Sequence, residues 1–186
     1  MGIDSAVIRR AVYLDRDGVL NRAILRDGRP YPPASPAEVE ILPGVREALV
    51  GLRAAGFRLV VVTNQPDVAR GTTPLSTIEA IHADMAATLP LDAIEVCLHG
   101  HDGECDCRKP KPGMLLRDSA AQGVDLSRSF MVGDRWRDID AGTAAGCRTI
   151  LVDAGYDERA PTTTPDFVCG SLSEAADWIL SKGMEN

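Results

Sequence analysis

The stretch AVYLDRDG at residues 11–18 decides how the rest of the chain is interpreted. Its four apolar residues predict a buried strand, and Gly18 predicts a turn directly after it. Asp15 and Asp17 stand where that strand ends, separated by one residue. Two acids so placed can serve as a nucleophile and as an acid beside the leaving group, which is chemistry that phosphate transfer uses. Such a pair also caps ordinary turns, so its meaning depends on the other sites.

The composition indicates one soluble domain that spans residues 1–186. Of these residues 45% are hydrophobic and 25% are charged, and a chain of this length buries roughly 70% of its unfolded surface. A net charge of -7 with dispersed Lys and Arg argues against binding to nucleic acid or to a membrane surface. No apolar run approaches the roughly 20 residues of a membrane span, and residues 1–10 lack a signal-peptide pattern. We therefore expect a cytoplasmic protein, and a monomer.

Predicted strands and helices alternate along the chain, which indicates an α/β fold with a parallel sheet. The predicted strands lie at residues 11–14, 57–62, 93–98, 131–134 and 149–152. The predicted helices run from near Pro43 to a stop at Gly56, over 75–89 with a cap at Thr73, over 138–145 with a stop at Gly146, and from a capping box at Ser171 and Glu174.

Four sets of polar residues follow strands of this predicted sheet. They are Asp15 with Asp17, the run TNQ at 63–65, the run RKP at 108–110, and the run GDRWRD at 133–138. Ligands of parallel sheets bind beyond the carboxyl ends of the strands, so we expect these sets to meet. Each set alone has an ordinary structural explanation, such as a helix cap or a solvated charge. Their coincidence indicates an active site.

A second constellation combines thiols with an imidazole. Cys97 and His99 are followed by Cys105 and Cys107, which places four ligands within eleven residues. This ligand set predicts a tetrahedral Zn²⁺ site, and it is structural because four protein ligands leave no open position. The metal would fix the loop that carries residues 108–109 into the active site.

The remaining His and Cys residues have competing roles or none. His101 is an alternative to His99 as the fourth zinc ligand. A disulfide is disfavoured because we expect a reducing compartment. Cys147 and Cys169 are predicted to be buried strand cysteines, and His82 to be a solvated helix residue.

The four polar motifs resemble those of the haloacid dehalogenase superfamily of phosphohydrolases, over residues 11–153. The motifs are DRDG at 15–18, Thr63, Lys109 and GD at 133–134. The longer runs resemble the heptose bisphosphate phosphatases of that superfamily, and histidinol phosphate phosphatases share much of them. These runs are DRDGVLN at 15–21, VTNQ at 62–65, ARG at 69–71, CDCRKP at 105–110 and KPGM at 111–114. The resemblance implies a three-layer fold with a minimal cap or none, Mg²⁺, and an aspartyl-phosphate intermediate; it also favours His99 as the zinc ligand.

The resemblance assigns a role to each motif residue. Mg²⁺ would be held by Asp15, Asp134 and the backbone carbonyl of Asp17, with Asp15 as the nucleophile. Asp17 would protonate the departing oxygen and then take a proton from the attacking water. Thr63 and Lys109 would bind phosphoryl oxygens in the transition state.

Substrate recognition is expected to use amides and guanidinium groups near these motifs. An Arg side chain offers a planar fork that matches phosphate oxygens. The candidate substrate-binding residues are Asn64, Gln65, Arg70, Arg108 and Arg135. Asp138 is expected to hold metal-bound waters, to orient Lys109, or to be an ordinary acid in the first turn of a helix.

These expectations combine into a Mg²⁺-dependent, zinc-stabilised phosphatase. By resemblance, its substrate is the small phosphosugar D-glycero-D-manno-heptose 1,7-bisphosphate, from which it removes the 7-phosphate. The alternatives are a phosphatase of histidinol phosphate or of another phosphosugar, and a catalytically silent zinc-containing scaffold. A dehalogenase is disfavoured because a halide leaving group would give Asp17 no proton to donate. The run PDV at 66–68 departs from the wording of the family and leaves the sugar and its anomer open.

Overall fold

The computed structural model describes residues 9–26, 29–100 and 104–183. Its strands are β1 (Arg10–Leu14), β2 (Ile24–Arg26), β3 (Arg29–Tyr31), β4 (Phe57–Asn64), β5 (Ala93–Cys97), β6 (Phe130–Gly133), β7 (Arg148–Val152) and β8 (Phe167–Cys169). Its α-helices are α1 (Val45–Ala54), α2 (Leu75–Thr88), α3 (Gly113–Gln122), α4 (Trp136–Ala145) and α5 (Leu172–Gly183). In the part of the chain described, no helix is long and apolar enough to cross a bilayer.

Six strands form one parallel sheet in the order β5-β4-β1-β6-β7-β8, while β2 and β3 form a separate antiparallel hairpin. β1 lies at the centre, with Val12 opposite Leu59 of β4 and Phe130 of β6. Both faces of a central parallel strand are covered, which explains why this segment is continuously apolar. The predicted α/β fold with a parallel sheet is therefore confirmed.

The side chains of β1 alternate between two apolar clusters, one on each face of the sheet. Val12 and Leu14 belong to the cluster that includes residues of α1, α2 and α5. Ala11 and Tyr13 belong to the other cluster, with Met114 of α3. The period of two along the strand thus joins three layers, helices on both sides of one sheet.

One predicted helix cap and one predicted helix start differ from the structure, whereas the predicted start of α2 at Leu75 is confirmed. α2 has Pro74 as its N-cap, with no side-chain cap; the predicted cap Thr73 instead donates its backbone N–H to the Asp67 carbonyl in the preceding turn. α4 begins at Trp136, two residues before the prediction, because Asp138 accepts a hydrogen bond from the backbone N–H of Arg135 at 3.0 Å and so caps the helix from its third position. The predicted stop at Gly146 is confirmed: its φ of 87° requires the left-handed region that glycine adopts readily.

Sequence patterns did not reveal α3, β8 or the hairpin of β2 and β3. The hairpin strands and β8 are three residues long each, too short to show a period of two. Cys147 was predicted to lie in a strand; it is buried between α4 and β7, where its N–H donates to the Gly142 carbonyl. Cys169 does end a strand, β8. The capping box of α5 is present, with the Glu174 N–H donating to Ser171 Oγ at 3.3 Å.

The close packing of α4 on the sheet yields a stability test. A Cβ atom at Gly142 would stand 2.6 Å from Met131 Cβ and 2.8 Å from Thr149 Cγ2. We expect Gly142→Ala to lower the free energy of unfolding by about 1–3 kcal/mol, because the helix must move away from β6 and β7. In α1, Gly51 has only Leu180 Cδ1 nearby, at 3.8 Å.

Gly51→Ala is the matched control and should stabilise the protein by about 0.5–1 kcal/mol, since alanine loses less backbone entropy in a helix. Urea denaturation followed by circular dichroism measures both variants. Equal effects of the two substitutions would contradict the packing described here.

Candidate active site

The carboxyl ends of three neighbouring strands supply the predicted catalytic groups. Asp15 follows β1, Thr63 lies near the end of β4, and Asp134 follows β6. The loop after β5 brings in Lys109. All four line one cavity of about 80 Å³, together with Asp17, Asn64, Arg135, Arg137, Asp138 and residues 30–32 of the hairpin. The structure therefore places the four sequence motifs together.

Lys109 lines this cavity and is only 2% exposed. Its Nζ lies 2.8 Å from Asp15 Oδ1 and 2.6 Å from Asp138 Oδ1, and it donates to the Val62 carbonyl at 2.7 Å. Burial alone lowers the pKa of Lys109, but the two carboxylates outweigh burial and raise it. Lys109 therefore remains an ammonium, and Asp138 holds it in position.

Three buried carboxyl groups share this single ammonium. Oxygens of Asp15, Asp134 and Asp138 lie within 4.8 Å of one another. Burial, with the charge of Asp138, raises the pKa of Asp15 to about 6. Burial, with the charges of Asp15 and Asp138, raises the pKa of Asp134. The cluster carries more negative charge than Lys109 can balance, which is the environment that a divalent cation stabilises.

Asp134 shows where such a cation fits. Both of its carboxylate oxygens are buried, and the hydroxyl of Tyr156 donates toward them, which lowers the pKa of Asp134 less than burial and the neighbouring acids raise it. One neutral donor leaves most of the acceptor capacity of a buried carboxylate unused. The carboxyl group packs directly against Gly18, whose φ is 91°, so a side chain there would collide with it. Carboxylate oxygens are the ligands that Mg²⁺ prefers. The donor set and the incompletely satisfied oxygens of Asp134 thus suit Mg²⁺.

Asp17 is held in one orientation by donors from three side chains. Arg16 approaches both carboxylate oxygens, Asn21 donates to Oδ1 at 3.0 Å, and Gln65 donates to Oδ2 at 3.0 Å. Both oxygens therefore act as acceptors. A proton on Asp17 must replace one of these contacts, so protonation is tied to a rearrangement of the cage.

Arg16 and Asn21 were not predicted as site residues. Arg16 lies within the DRDG motif and is 0% exposed, whereas an Arg in a turn is ordinarily solvated. His82 was predicted to be solvated, and this is wrong: it is half-buried, and its Nε2 lies 3.1 Å from Arg16 Nη1. Only the folded arrangement of α2 against the turn brings this pair together.

The two predicted amides contact protein groups. Asn64 donates to the Lys109 carbonyl at 3.0 Å and accepts from the Lys109 N–H at 3.1 Å, so it clamps the loop that carries the lysine. Gln65 is fully buried and donates to Thr63 Oγ1 at 2.9 Å as well as to Asp17. Asn64 lines the cavity, and Gln65 lies behind it.

The predicted cations differ in their placement. Arg70 is exposed, pairs with Asp67 at 3.1 Å and does not line the catalytic cavity. Arg135 lines the cavity but forms a salt bridge with Glu158. Arg108 donates to the His99 carbonyl at 3.0 Å and lines a neighbouring cavity of about 320 Å³.

Arg137 lines both cavities and was not predicted as a site residue. Its Nε is buried without a hydrogen-bond partner, and its guanidinium lies over the Trp136 ring at 5.2 Å. Burial, with the charges of Arg135 and Arg108, lowers the pKa of Arg137. An Arg in the first turn of a helix gives no sequence signal of such a role.

The four predicted zinc ligands converge on one point. Cys107 Sγ lies 3.2 Å from Cys97 Sγ and 3.3 Å from His99 Nδ1, and Cys97 Sγ lies 3.9 Å from Cys105 Sγ. Sulfurs of a tetrahedral zinc site stand roughly 3.8 Å apart, given Zn–S bonds of about 2.3 Å. Burial, with Cys107, raises the pKa of Cys97 to about 12, so its thiolate needs a cation. The alternative ligand His101 lies outside the described residues.

Comparisons with known proteins agree with this geometry. A family model described as HAD-hydrolase-like matches residues 106–175. The D-glycero-β-D-manno-heptose-1,7-bisphosphate 7-phosphatase of Pseudomonas putida is 40% identical over 168 residues, which cover 85% of this chain and 93% of the relative. The enzyme of the same name from Escherichia coli is 36% identical over 184 residues, which cover 92% and 88%. This chain belongs to the haloacid dehalogenase superfamily, in its family of heptose bisphosphate phosphatases.

A solved structure of the superfamily has the same architecture. The D,D-heptose 1,7-bisphosphate phosphatase of Bordetella bronchiseptica, complexed with magnesium and phosphate, superposes with a TM-score of 0.77 at 34% identity. The alignment covers 93% of this chain and 99% of that one. The resemblance inferred from the motifs, the HAD-like fold and the enzyme class, a phosphoric monoester hydrolase, are thus confirmed.

The buried position of Lys109 yields a prediction for stability. Lys109→Met removes the ammonium between carboxylates and should cost about 3–5 kcal/mol at pH 7.5, the typical loss when a buried ion pair loses one partner. The loss should shrink toward pH 5, because the raised pKa of Asp15, about 6, and that of Asp134 let both groups take up protons in the folded state.

Lys111→Met is the matched control. Its ammonium lies at the surface and donates to the Cys105 carbonyl, so we expect a change within about 0.5 kcal/mol. Chemical denaturation of the metal-free variants at both pH values measures the difference. A loss for Lys109→Met that is independent of pH would contradict the charge balance described above.

Proposed function

We propose that the chain is a Mg²⁺-dependent phosphatase that removes the 7-phosphate of D-glycero-β-D-manno-heptose 1,7-bisphosphate. The observation that carries this proposal is the second cavity beside the catalytic one. The two share Lys109 and Arg137, and the second adds Arg108 and Lys111. No carboxylate stands among the described residues that line it. A cationic cavity next to a phosphatase centre suits a substrate with a second phosphate.

The same charge distribution disfavours histidinol phosphate. That ester carries an ammonium group, which the four cationic side chains of the second cavity would repel. The relatives that are 36–40% identical are named for the β anomer of the heptose bisphosphate, which supports the same anomer here. The departure at residues 66–68 lies away from both cavities, since none of the three residues lines either one.

Mg²⁺ would be held by the Asp15 and Asp134 carboxylates and the Asp17 carbonyl. When bound, it would neutralise the charge of the phosphate group and of the acid cluster. Asp138 would then act mainly through Lys109, because its Oδ1 contacts Nζ and its Oδ2 caps α4. This arrangement gives Asp138 a positioning role.

Asp15 would attack phosphorus with Oδ2, because its Oδ1 accepts the Arg16 N–H and contacts Lys109. The new Asp15–phosphorus bond forms as the bond to the sugar oxygen breaks, and Asp17 delivers a proton to that oxygen. Asp17 then takes a proton from the water that attacks phosphorus, and Asp15 is released as a carboxylate. Thr63 Oγ1 and Lys109 Nζ face the phosphoryl group and stabilise its developing charge.

Zn²⁺ would be held by Cys97, His99, Cys105 and Cys107 in a structural site. Its contribution is local order, because the loop that it closes delivers Arg108 and Lys109. The Arg108 guanidinium donates to the carbonyl of the ligand His99. The loop is further tied by the backbone N–H of Gly113, which donates to the Asp106 carbonyl at 3.0 Å. Metal binding here is coupled to the position of the active-site lysine.

The assay that tests the function measures phosphate release with Mg²⁺ from both heptose 1,7-bisphosphate anomers and from histidinol phosphate. We expect the β anomer to lead by tenfold or more in kcat/KM, which is about 1.4 kcal/mol of transition-state preference. Omission of Mg²⁺ and the variant Asp15→Asn should each abolish turnover.

Preference for histidinol phosphate would overturn the substrate and leave the reaction class standing. If the metal-loaded protein releases no phosphate from any ester, the scaffold alternative replaces the proposal.

Arg137 supplies a prediction about the second phosphate. Arg137→Met keeps the apolar stem but removes the charge, and a lost hydrogen bond to a charged group costs about 1.5–3 kcal/mol. We expect KM for the bisphosphate to rise about tenfold or more. KM for heptose 7-phosphate, which lacks the second phosphate, should stay within about twofold of the wild-type value.

Arg46→Met in α1 is the control, since this Arg is exposed and lines neither cavity. An equal rise in KM for both substrates on Arg137→Met would instead assign Arg137 to the reacting phosphate.

The zinc assignment predicts one zinc ion per chain, measured by inductively coupled plasma mass spectrometry. Cys107→Ser should lose this zinc and lower kcat about tenfold or more through the displaced loop. Cys169→Ser, which changes a buried thiol that contacts the Leu151 and Ser171 carbonyls, should keep both. Full activity of zinc-free Cys107→Ser would contradict the proposed role of the loop.

A further inference from the structure

Arg16 is a buried cation, and its guanidinium contacts two neighbouring side chains, Asp17 and His82. Its side chain is 0% exposed, and its Nε and Nη2 approach the Asp17 carboxylate at 2.9–3.2 Å. The remaining terminal nitrogen, Nη1, lies 3.1 Å from His82 Nε2. A guanidinium without solvent contact needs acceptors for its N–H groups. His82 is therefore the acceptor on the side that Asp17 does not reach.

The chemistry of this contact defines the state of His82. A guanidinium can only donate, so Nε2 must accept and the ring proton must be on Nδ1. Burial, with the charge of Arg16, lowers the pKa of His82 to about 4, which agrees with a neutral ring. His82 thus serves as a neutral acceptor on α2, a helix that contributes Ile81 and Met85 to the apolar core.

We propose that His82 is a positioning residue for catalysis: its hydrogen bond holds the Arg16 guanidinium against Asp17 and thereby fixes the Asp17 carboxylate. The inference rests on the proposed role of Asp17 as the acid and base. Asn21 and Gln65 each make one contact with Asp17, whereas Arg16 grips both oxygens. Arg16 therefore makes the main contacts that orient Asp17, and the hydrogen bond from Arg16 to His82 keeps the guanidinium from rotating.

The chain of contacts runs from the core to the reacting atoms. α2 is anchored by its apolar residues, His82 extends from it to Arg16, and Arg16 extends to Asp17. Without the acceptor, one end of a buried guanidinium loses its partner, and Arg16 gains by turning toward other oxygens. The Asp17 carboxylate then either moves together with Arg16 or keeps only its hydrogen bonds with Asn21 and Gln65. A shift of about 1 Å in a group that transfers a proton can cost about a hundredfold in rate.

Two substitutions separate the hydrogen bond from the packing at this position. His82→Phe fills the same space without an acceptor, and His82→Gln keeps an acceptor oxygen at a similar reach. We expect His82→Phe to lower kcat by about tenfold or more with KM within about twofold of wild type. We expect His82→Gln to restore kcat to within about threefold of wild type. Circular dichroism and the melting temperature show whether each variant is folded.

The assay uses the Mg²⁺- and Zn²⁺-loaded protein with heptose 1,7-bisphosphate and, separately, with glycerol 2-phosphate. The second ester also releases an alkoxide that needs a proton, so it tests the role of Asp17 even if the heptose is not the substrate. Asp17→Asn runs beside it. A wild-type kcat for folded His82→Phe, or equal losses for His82→Phe and His82→Gln, overturns the positioning role. If Asp17→Asn itself keeps full activity, the proposed role of Asp17 fails, and the inference about His82 fails with it.

Discussion

The balance of charge around Lys109 is the constraint on which the active site depends. One buried ammonium contacts Asp15 and Asp138, and Asp134 completes a group of three carboxyls. The lysine arrives from a loop after β5, whereas the acids follow β1 and β6. Its contact with the Val62 carbonyl ties the same ammonium to β4. The residual negative charge that Lys109 leaves unbalanced would favour the binding of a divalent cation in the pocket.

The position of the lysine depends in turn on a separate set of contacts. Asn64 grips the Lys109 backbone by its N–H and carbonyl, and the cluster of Cys97, His99, Cys105 and Cys107 draws the preceding loop together. A metal bound by this cluster would therefore bear on the proposed chemistry, because it would set the path of the chain that carries Lys109. The proposed Mg²⁺ and Zn²⁺ sites are linked through one stretch of backbone.

The sequence alone was sufficient to identify functional groups that lie close to one another along the chain. The acids after an apolar strand and the paired CxH and CxC runs are of this kind, and the structure brings each set together. The sequence could not identify Arg16 and His82, which contact each other although they are 66 residues apart in the chain, or Arg137, which lines a cavity together with residues of the loop after β5. Arg70 shows the converse: its sequence position beside a motif suggested a role, but its side chain pairs with Asp67 at the surface. Short elements such as β8 carry too few residues for any period to show.

The central claim is that the Lys109-centred cluster presents Asp15 as a nucleophile, and the most direct test is to trap its phosphoryl adduct. The enzyme would be mixed rapidly with heptose bisphosphate, quenched in acid, treated with borohydride and digested, and the peptide that contains Asp15 examined by tandem mass spectrometry. Reduction of an aspartyl phosphate converts Asp15 into homoserine, and we expect this change at Asp15 alone and its absence in Asp15→Asn. An unmodified Asp15 during active turnover, or a modification at Asp134 or Asp138, would contradict it.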